Sequence, residues 1–141
     1  RQNLNRGGIM ILDMMGGGEC LIEEQEDVRK IRAGGPSDEE GPVRFKYVWE
    51  QAHFNPITHD CSFYIHFRFK DGSELKRAFE YHWRFWTIPE VRELLDEAGF
   101  SRSYVYWEGT DPKTGEGDND WKRCDDAKPD PSWLAYIVAC K

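Results

Sequence analysis

From Val43 to Trp86 the chain alternates apolar and polar side chains with a period of two, a pattern that fits a half-buried strand and excludes a helix. Val43, Phe45, Tyr47 and Trp49 alternate with Arg44, Lys46, Val48 and Glu50. Phe63, Ile65, Phe67 and Phe69 alternate with Ser62, Tyr64, His66, Arg68 and Lys70, and Leu75, Phe79, Tyr81, Trp83 and Phe85 with Lys76, Ala78, Glu80, His82 and Arg84. The pattern predicts a three-stranded antiparallel meander with one aromatic face. Asp71-Gly72 supplies the turn, and register decides its length, because a slip of one residue turns a strand's apolar set to the other face. A two-residue loop would place Phe63 opposite Glu80 and Phe67 opposite Lys76. A three-residue loop pairs Lys70 with Glu74, Phe69 with Leu75, Ile65 with Phe79 and Phe63 with Tyr81, joining apolar to apolar and opposite charges to each other at roughly 0.2–1 kcal/mol per pair. The longer loop, with a bulge, is expected.

The rest of the chain must cover that meander. With 141 residues the chain is one domain by length, large enough to bury a core without disulfides or a structural metal. Aromatic residues make up 14% of it, including six Trp, which argues against disorder. The net charge of −7 argues against binding a phosphate backbone, which needs clustered Lys and Arg. No membrane span is expected, since the longest apolar run, Leu134 to Cys140, has seven residues. Cys20, Cys61, Cys124 and Cys140 are widely spaced with no Cys-x-x-Cys pair, which suggests neither a zinc knuckle nor a disulfide framework and fits a reduced, cytoplasmic setting. Arg1 to Gly8 has neither an initiator Met nor a signal-peptide layout, so the expectation is a chain cut from something longer or processed.

Gly7 to Gly18 is an apolar run bracketed by glycines, and Trp133 to Cys140 is a second one. Both read as strands covered on both faces, as in the interior of a parallel α/β sheet. Glu23 to Arg32 is charged and reads as weakly helical, and residues 33–42 carry turn chemistry and read as a mobile surface connection. Thr87-Ile88-Pro89-Glu90 is a capping box with proline in the first turn. Val91, Leu94, Leu95 and Ala98 then form one stripe, Gly99 is the left-handed terminator, and Phe100 supplies the accompanying apolar contact. Tyr104 to Trp107 reads as a short strand. Residues 110–131 form a surface excursion in which Trp121 to Cys124 could extend a flanking strand, and the last apolar strand closes a hairpin.

In this order the segments resemble the C-terminal half of a class I S-adenosylmethionine-dependent methyltransferase. The resemblance is carried by Gly7-Gly8-Ile9-Met10-Ile11-Leu12-Asp13, Tyr47-Val48-Trp49-Glu50-Gln51, Asp71-Gly72 and, most specifically, the segment from Arg84 to Phe100. It implies an α/β fold, a partial Rossmann-like methyltransferase sheet with the three-stranded meander of residues 43–86 inserted. In it Ile9 to Asp13 would be the fifth strand, the helix after Thr87 the crossover to the sixth, and Leu134 to Cys140 the antiparallel seventh between them. The family holds its cofactor on a glycine-rich loop after its first strand and an acidic residue ending the second. Neither is in this chain, and Gly16-Gly17-Gly18 lacks the G-x-G-x-x-G spacing. The resemblance therefore implies that S-adenosylmethionine is bound mainly by a part missing before Arg1, that no residue here binds it, and that the chain is inactive alone.

The implied activity is methyl transfer to a small molecule, with this portion forming the substrate side. Such an in-line displacement relies on positioning and needs a base only when the acceptor must lose a proton, and no residue declares itself as that base. Asp13, at a strand's C-terminal end, is either a substrate contact or a turn residue capping the glycines. Tyr47, Trp49, Glu50, Tyr81, Trp83 and Arg84 are candidates for the substrate wall, the rings supplying apolar area with polar tips and Glu50 or Arg84 orienting a charged acceptor. Ordinary packing is the competing explanation for each ring. His53, His59, Cys61 and His66 fit no metal-ligand spacing, and alternation sends Cys61 and His66 to opposite faces. The acidic stretches Glu23 to Asp27 and Asp38 to Glu40 read as solvated surface. The alternative function is a non-catalytic α/β module that binds a small ligand or partner. Oligomeric state is left open.

Overall fold

The computed structural model describes residues 1–34 and 42–141. Most of the connection expected over residues 33–42 lies outside the described residues. The strands are β1 (Ile9–Gly16), β2 (Gln25–Ala33), β3 (Val43–Phe54), β4 (Asp60–Phe69), β5 (Glu74–Arg84), β6 (Arg102–Thr110), β7 (Gly117–Cys124) and β8 (Trp133–Cys140), with one α-helix, α1 (Ile88–Glu97), and a short 3-10 turn at Gly18–Leu21 among the described residues. They fall into two compact units, Arg1–Leu21 with Trp86–Lys141, and Ile22–Phe85.

The first unit is a four-stranded sheet of order β1-β8-β6-β7 in which every hydrogen-bonded pair is antiparallel. Ala135, Ile137 and Ala139 of β8 point to one face and are buried with Leu95, Phe100 and Val105, while Met10, Leu12 and Met14 of β1 and Ile88 and Val91 of α1 pack around them. The helix begins as its sequence dictates. The Thr87 hydroxyl accepts from the Glu90 N–H, the Glu90 carboxylate accepts from the Thr87 N–H, and Pro89 sits in the first turn. At the other end Gly99 takes a φ of 83° and the Phe100 N–H donates to the Leu95 carbonyl, which brings buried Phe100 under Leu95. The stripe is narrower than expected: Leu95 is 5% exposed but Leu94 is 47% exposed.

The second unit is a four-stranded antiparallel sheet, β2-β3-β4-β5. The expected meander is present, and it gains β2, because all of Gln25–Ala33 pairs with Val43–Gln51 of β3. The segment read as weakly helical is therefore a strand. Charge made it look like a solvated helix, whereas its charges are those of an exposed edge strand.

The α/β expectation is corrected. The protein is mostly β, with two antiparallel four-stranded sheets and a single α-helix among the described residues, and is not a Rossmann-like α/β fold. The apolar run of β1 suggested cover on both faces, but β1 is an edge strand whose second face is open, with Ile9 and Ile11 52% and 56% exposed. Within the corrected fold, β8 does lie between β1 and β6, antiparallel to both, and the strand-rich unit is inserted between β1 and α1. The excursion is also partly structured, since β7 pairs with the far edge of β6.

The β4–β5 turn joins expectation and correction. The Phe69 N–H donates to the Ser73 carbonyl at 2.9 Å and Gly72, at φ 88°, donates back to Phe69, so the three-residue loop is Lys70 to Gly72, one position earlier than expected. Next to it Arg68 pairs with Glu74 and Phe67 with Leu75, in place of Lys70 with Glu74 and Phe69 with Leu75. A bulge then sets Lys76, Arg77 and Ala78 against His66, and beyond it Ile65 meets Phe79 and Phe63 meets Tyr81, as the apolar pairing requires.

Burial separates the two leucines of α1. Leu95→Ala is expected to destabilise the first unit by about 2–5 kcal/mol and Leu94→Ala by less than about 1 kcal/mol in denaturant unfolding. Equal losses at the two positions would contradict the helix orientation.

Candidate functional site

The sheet of the second unit has two chemically opposite faces, and strand parity assigns each candidate to one of them. Tyr47, Trp49 and Tyr81 share the first face with Phe45, Phe63, Ile65, Phe67, Phe79 and Trp83. Trp49 stacks on Phe63 with centroids 4.9 Å apart, lies 5.9 Å from Tyr81 and 6.4 Å from Trp83, and Tyr81 lies 4.7 Å from Trp83. Offset and tilted pairs at these distances contribute about 0.5–1.5 kcal/mol each beyond burial. The rings pack on one another instead of lining a cage. Burial of the Tyr47 phenol, with Tyr81 beside it, raises its pKa above the ordinary value.

Glu50 and Arg84 lie on the opposite face, with Ser62, Tyr64, His66, Glu80 and His82. The substrate wall expected from the sequence is thus split across the thickness of a sheet. Asp13 belongs to the first unit, where it sits exposed on the open face of β1 across from Tyr136.

On the polar face, His66 is the residue that sequence reasoning weighed only as a metal ligand. It is 6% exposed, its Nδ1 accepts the Arg77 backbone N–H at 3.2 Å, and its Nε2 lies 2.6 Å from Glu50 Oε2. A main-chain donor on Nδ1 assigns the proton of the neutral ring to Nε2, which then donates to the carboxylate. The bulge makes this possible. Arg77 takes a φ of 49°, a left-handed conformation uncommon for a side chain of that size, and so turns its N–H toward the imidazole while its guanidinium lies 4.2 Å over the Tyr64 ring. Alongside, Arg68 donates two hydrogen bonds to Glu26, at 2.7 and 2.9 Å, and a third to Glu74 at 2.7 Å. Those bonds hold both carboxyls below the ordinary Glu range and push the guanidinium higher still. Each nitrogen of His66 has a partner, and Glu50, with a side chain 31% exposed, keeps part of its carboxylate at the surface while Oε2 holds His66. A cationic or hydrogen-bond-donating group is the chemistry such a carboxylate can receive.

Cys61 faces the aromatic side, its thiol donating to the Trp83 carbonyl at 3.3 Å, and His66 faces the other, as alternation required. Among the described residues no three His, Cys, Asp or Glu side chains converge as metal ligands. No family model, no curated protein and no solved structure matches the chain.

The pH dependence of the second unit follows from Arg68. Because the folded values of Glu26 and Glu74 lie below their unfolded ones, the stability they contribute is complete above about pH 4.3 and is lost as the pH falls through the lowered values. Both carboxylates are partly exposed, so salt weakens the effect. Chemical unfolding followed between neutrality and acid should show a steeper loss for the wild type than for Arg68→Met. Parallel curves would remove the cluster from the account.

Proposed function

We propose that this chain forms the substrate-side part of an S-adenosylmethionine-dependent methyltransferase acting on a small molecule. The observation that supports the reading is the order β1-β8-β6, with the strand-rich unit inserted between β1 and a proline-bearing, capping-box helix that ends in Gly99-Phe100. The proposal rests on that local order and on the helix segment, and does not include the fold class corrected above. Without a glycine-rich phosphate or ribose loop in these residues, the cofactor is held elsewhere, and this chain contributes recognition of the acceptor. The aromatic row along Tyr81 and Trp83 offers apolar contact, and Glu50 orients a polar group. A cytoplasmic setting belongs to the same proposal: all four cysteines are thiols and no helix among the described residues is long and apolar enough to cross a membrane.

A second reading is a non-catalytic module that captures a small ligand or partner, favoured by the exposure of Phe79 and Trp83 on the aromatic face. The coding sequence on the 5′ side of Arg1 separates the two. A glycine-rich strand-turn-helix motif there supports the methyltransferase, and a stop codon or an unrelated domain supports the module. Calorimetry of the 141-residue chain with S-adenosylmethionine should give no tight binding, and a tight complex would overturn the division of labour. In a protein that carries the cofactor segment as well, Trp83→Ala should raise the acceptor KM by roughly 3- to 10-fold through lost ring contact, with cofactor affinity unchanged.

A further inference from the structure

The two sheets present four outer strands, and three of them are defended against pairing with another chain. Edge β2 carries Glu26, Asp27, Arg29, Lys30 and Arg32; edge β5 carries Glu74, Lys76, Arg77, Glu80 and Arg84 together with the bulge; edge β7 carries Asp118, Asp120, Lys122 and Arg123. Charges and bulges on an edge oppose strand addition, because a neighbouring strand would bury them or meet a broken ladder. The sequence of β1, Ile-Met-Ile-Leu-Asp-Met-Met-Gly, has one charge and no proline. It pairs only with β8, so its outer row of N–H and C=O groups faces no strand among the described residues.

We propose that this edge is an association surface, and that its occupant is β1 of a second copy, antiparallel across a two-fold axis. The incoming strand must be apolar on both faces, since Met10, Leu12 and Met14 line the helix-covered side and Ile9, Ile11 and Met15 the open one. Among the described strands only β1 and β8 meet that requirement, and both edges of β8 are already used. The strand is also self-complementary. With Leu12 on the two-fold, Met10 faces Met14 and Ile9 faces Met15, each on its proper side of the sheet, and Asp13 falls beside Ile11 on the open face where water reaches it. The result is a continuous eight-stranded sheet with one helix per copy on the same side. The inference rests on the edge of β1 in this chain and uses none of the rings, nor Glu50, to which the methyltransferase reading gives recognition.

Sedimentation velocity over a micromolar to submillimolar range tests it on the 141-residue chain. The 16.6 kDa chain should sediment at twice its mass, and hydrogen exchange should slow at the β1 amides as the dimer fills. Ile11→Asp, which sets like charges face to face at both Ile11–Asp13 positions of the pair, should abolish the dimer without loss of far-ultraviolet signal. Leu134→Lys, on the open face of β8 but off the edge, should leave the dimer intact. A wild-type chain that stays monomeric overturns the proposal, as do open-ended aggregates. A dimer lost on Leu134→Lys but kept on Ile11→Asp would mean packing between sheet faces, and would overturn it too.

Discussion

The first unit depends on the placement of its last strand. β8 arrives from the C-terminus and enters between β1 and β6, so Cys140 pairs with Ile9 on one side and with Arg102 on the other. Without it, β1 and β6 have no ladder in common and α1 has no floor. The alternation Ala135-Ile137-Ala139 explains why the floor fits: two small residues flanking one large one let the helix come close while Ile137 fills the centre. A pairing that joins the ends of the chain closes a loop containing the whole second unit, and its entropic cost grows only slowly with the length of that loop. An insertion of this size between β1 and α1 is therefore thermodynamically tolerable, although the long-range pairing slows folding.

In the second unit the constraint is register. The tight turn at Lys70 to Gly72 sets one alignment of β4 on β5, and the aromatic pairs beyond Ile65 demand another. The bulge at Arg77 reconciles them, at the cost of one left-handed non-glycine residue, about 1–3 kcal/mol of local strain. His66 offsets part of that cost by accepting the exposed amide, and Glu50 holds the imidazole in the tautomer that can accept it. Glu50, the candidate best placed to meet a ligand, is thus also part of the device that lets both alignments coexist.

What the sequence revealed was what local chemistry determines. The helix was legible from Thr87 to Phe100 because capping, proline and the glycine terminator act within a few residues. The apolar pairs Ile65–Phe79 and Phe63–Tyr81 were legible because the period of two leaves one workable alignment, but the bulge was placed only roughly, since nothing near Arg77 announces a left-handed residue. The reading of β1 as interior failed because an apolar run does not show that a partner covers each face, and here Ile9 and Ile11 stay exposed on the open one. Part of the site was misread against a signal already present. Tyr47, Trp49 and Tyr81 share one parity and Glu50 and Arg84 the other, so a single wall was excluded by alternation alone. The link from Glu50 to His66 could have been found the same way, from two even positions on neighbouring strands.

Exposure on the aromatic face is graded, and the gradient has a direction. Phe63 and Ile65 of inner strand β4 are buried beneath their neighbours' rings, whereas Leu75, Phe79 and Trp83 of edge strand β5 stay about half exposed. Rings in the interior of the sheet therefore serve mainly to hold it together, and their truncation would act through stability. Those along β5 have apolar area left to give, and Tyr81 and Trp83, 4.7 Å apart, present adjoining ring surface with a phenol hydroxyl at its margin. A ligand or partner that uses this face meets the β5 row before it meets Trp49, so recognition and fold stability are carried by different members of one aromatic cluster.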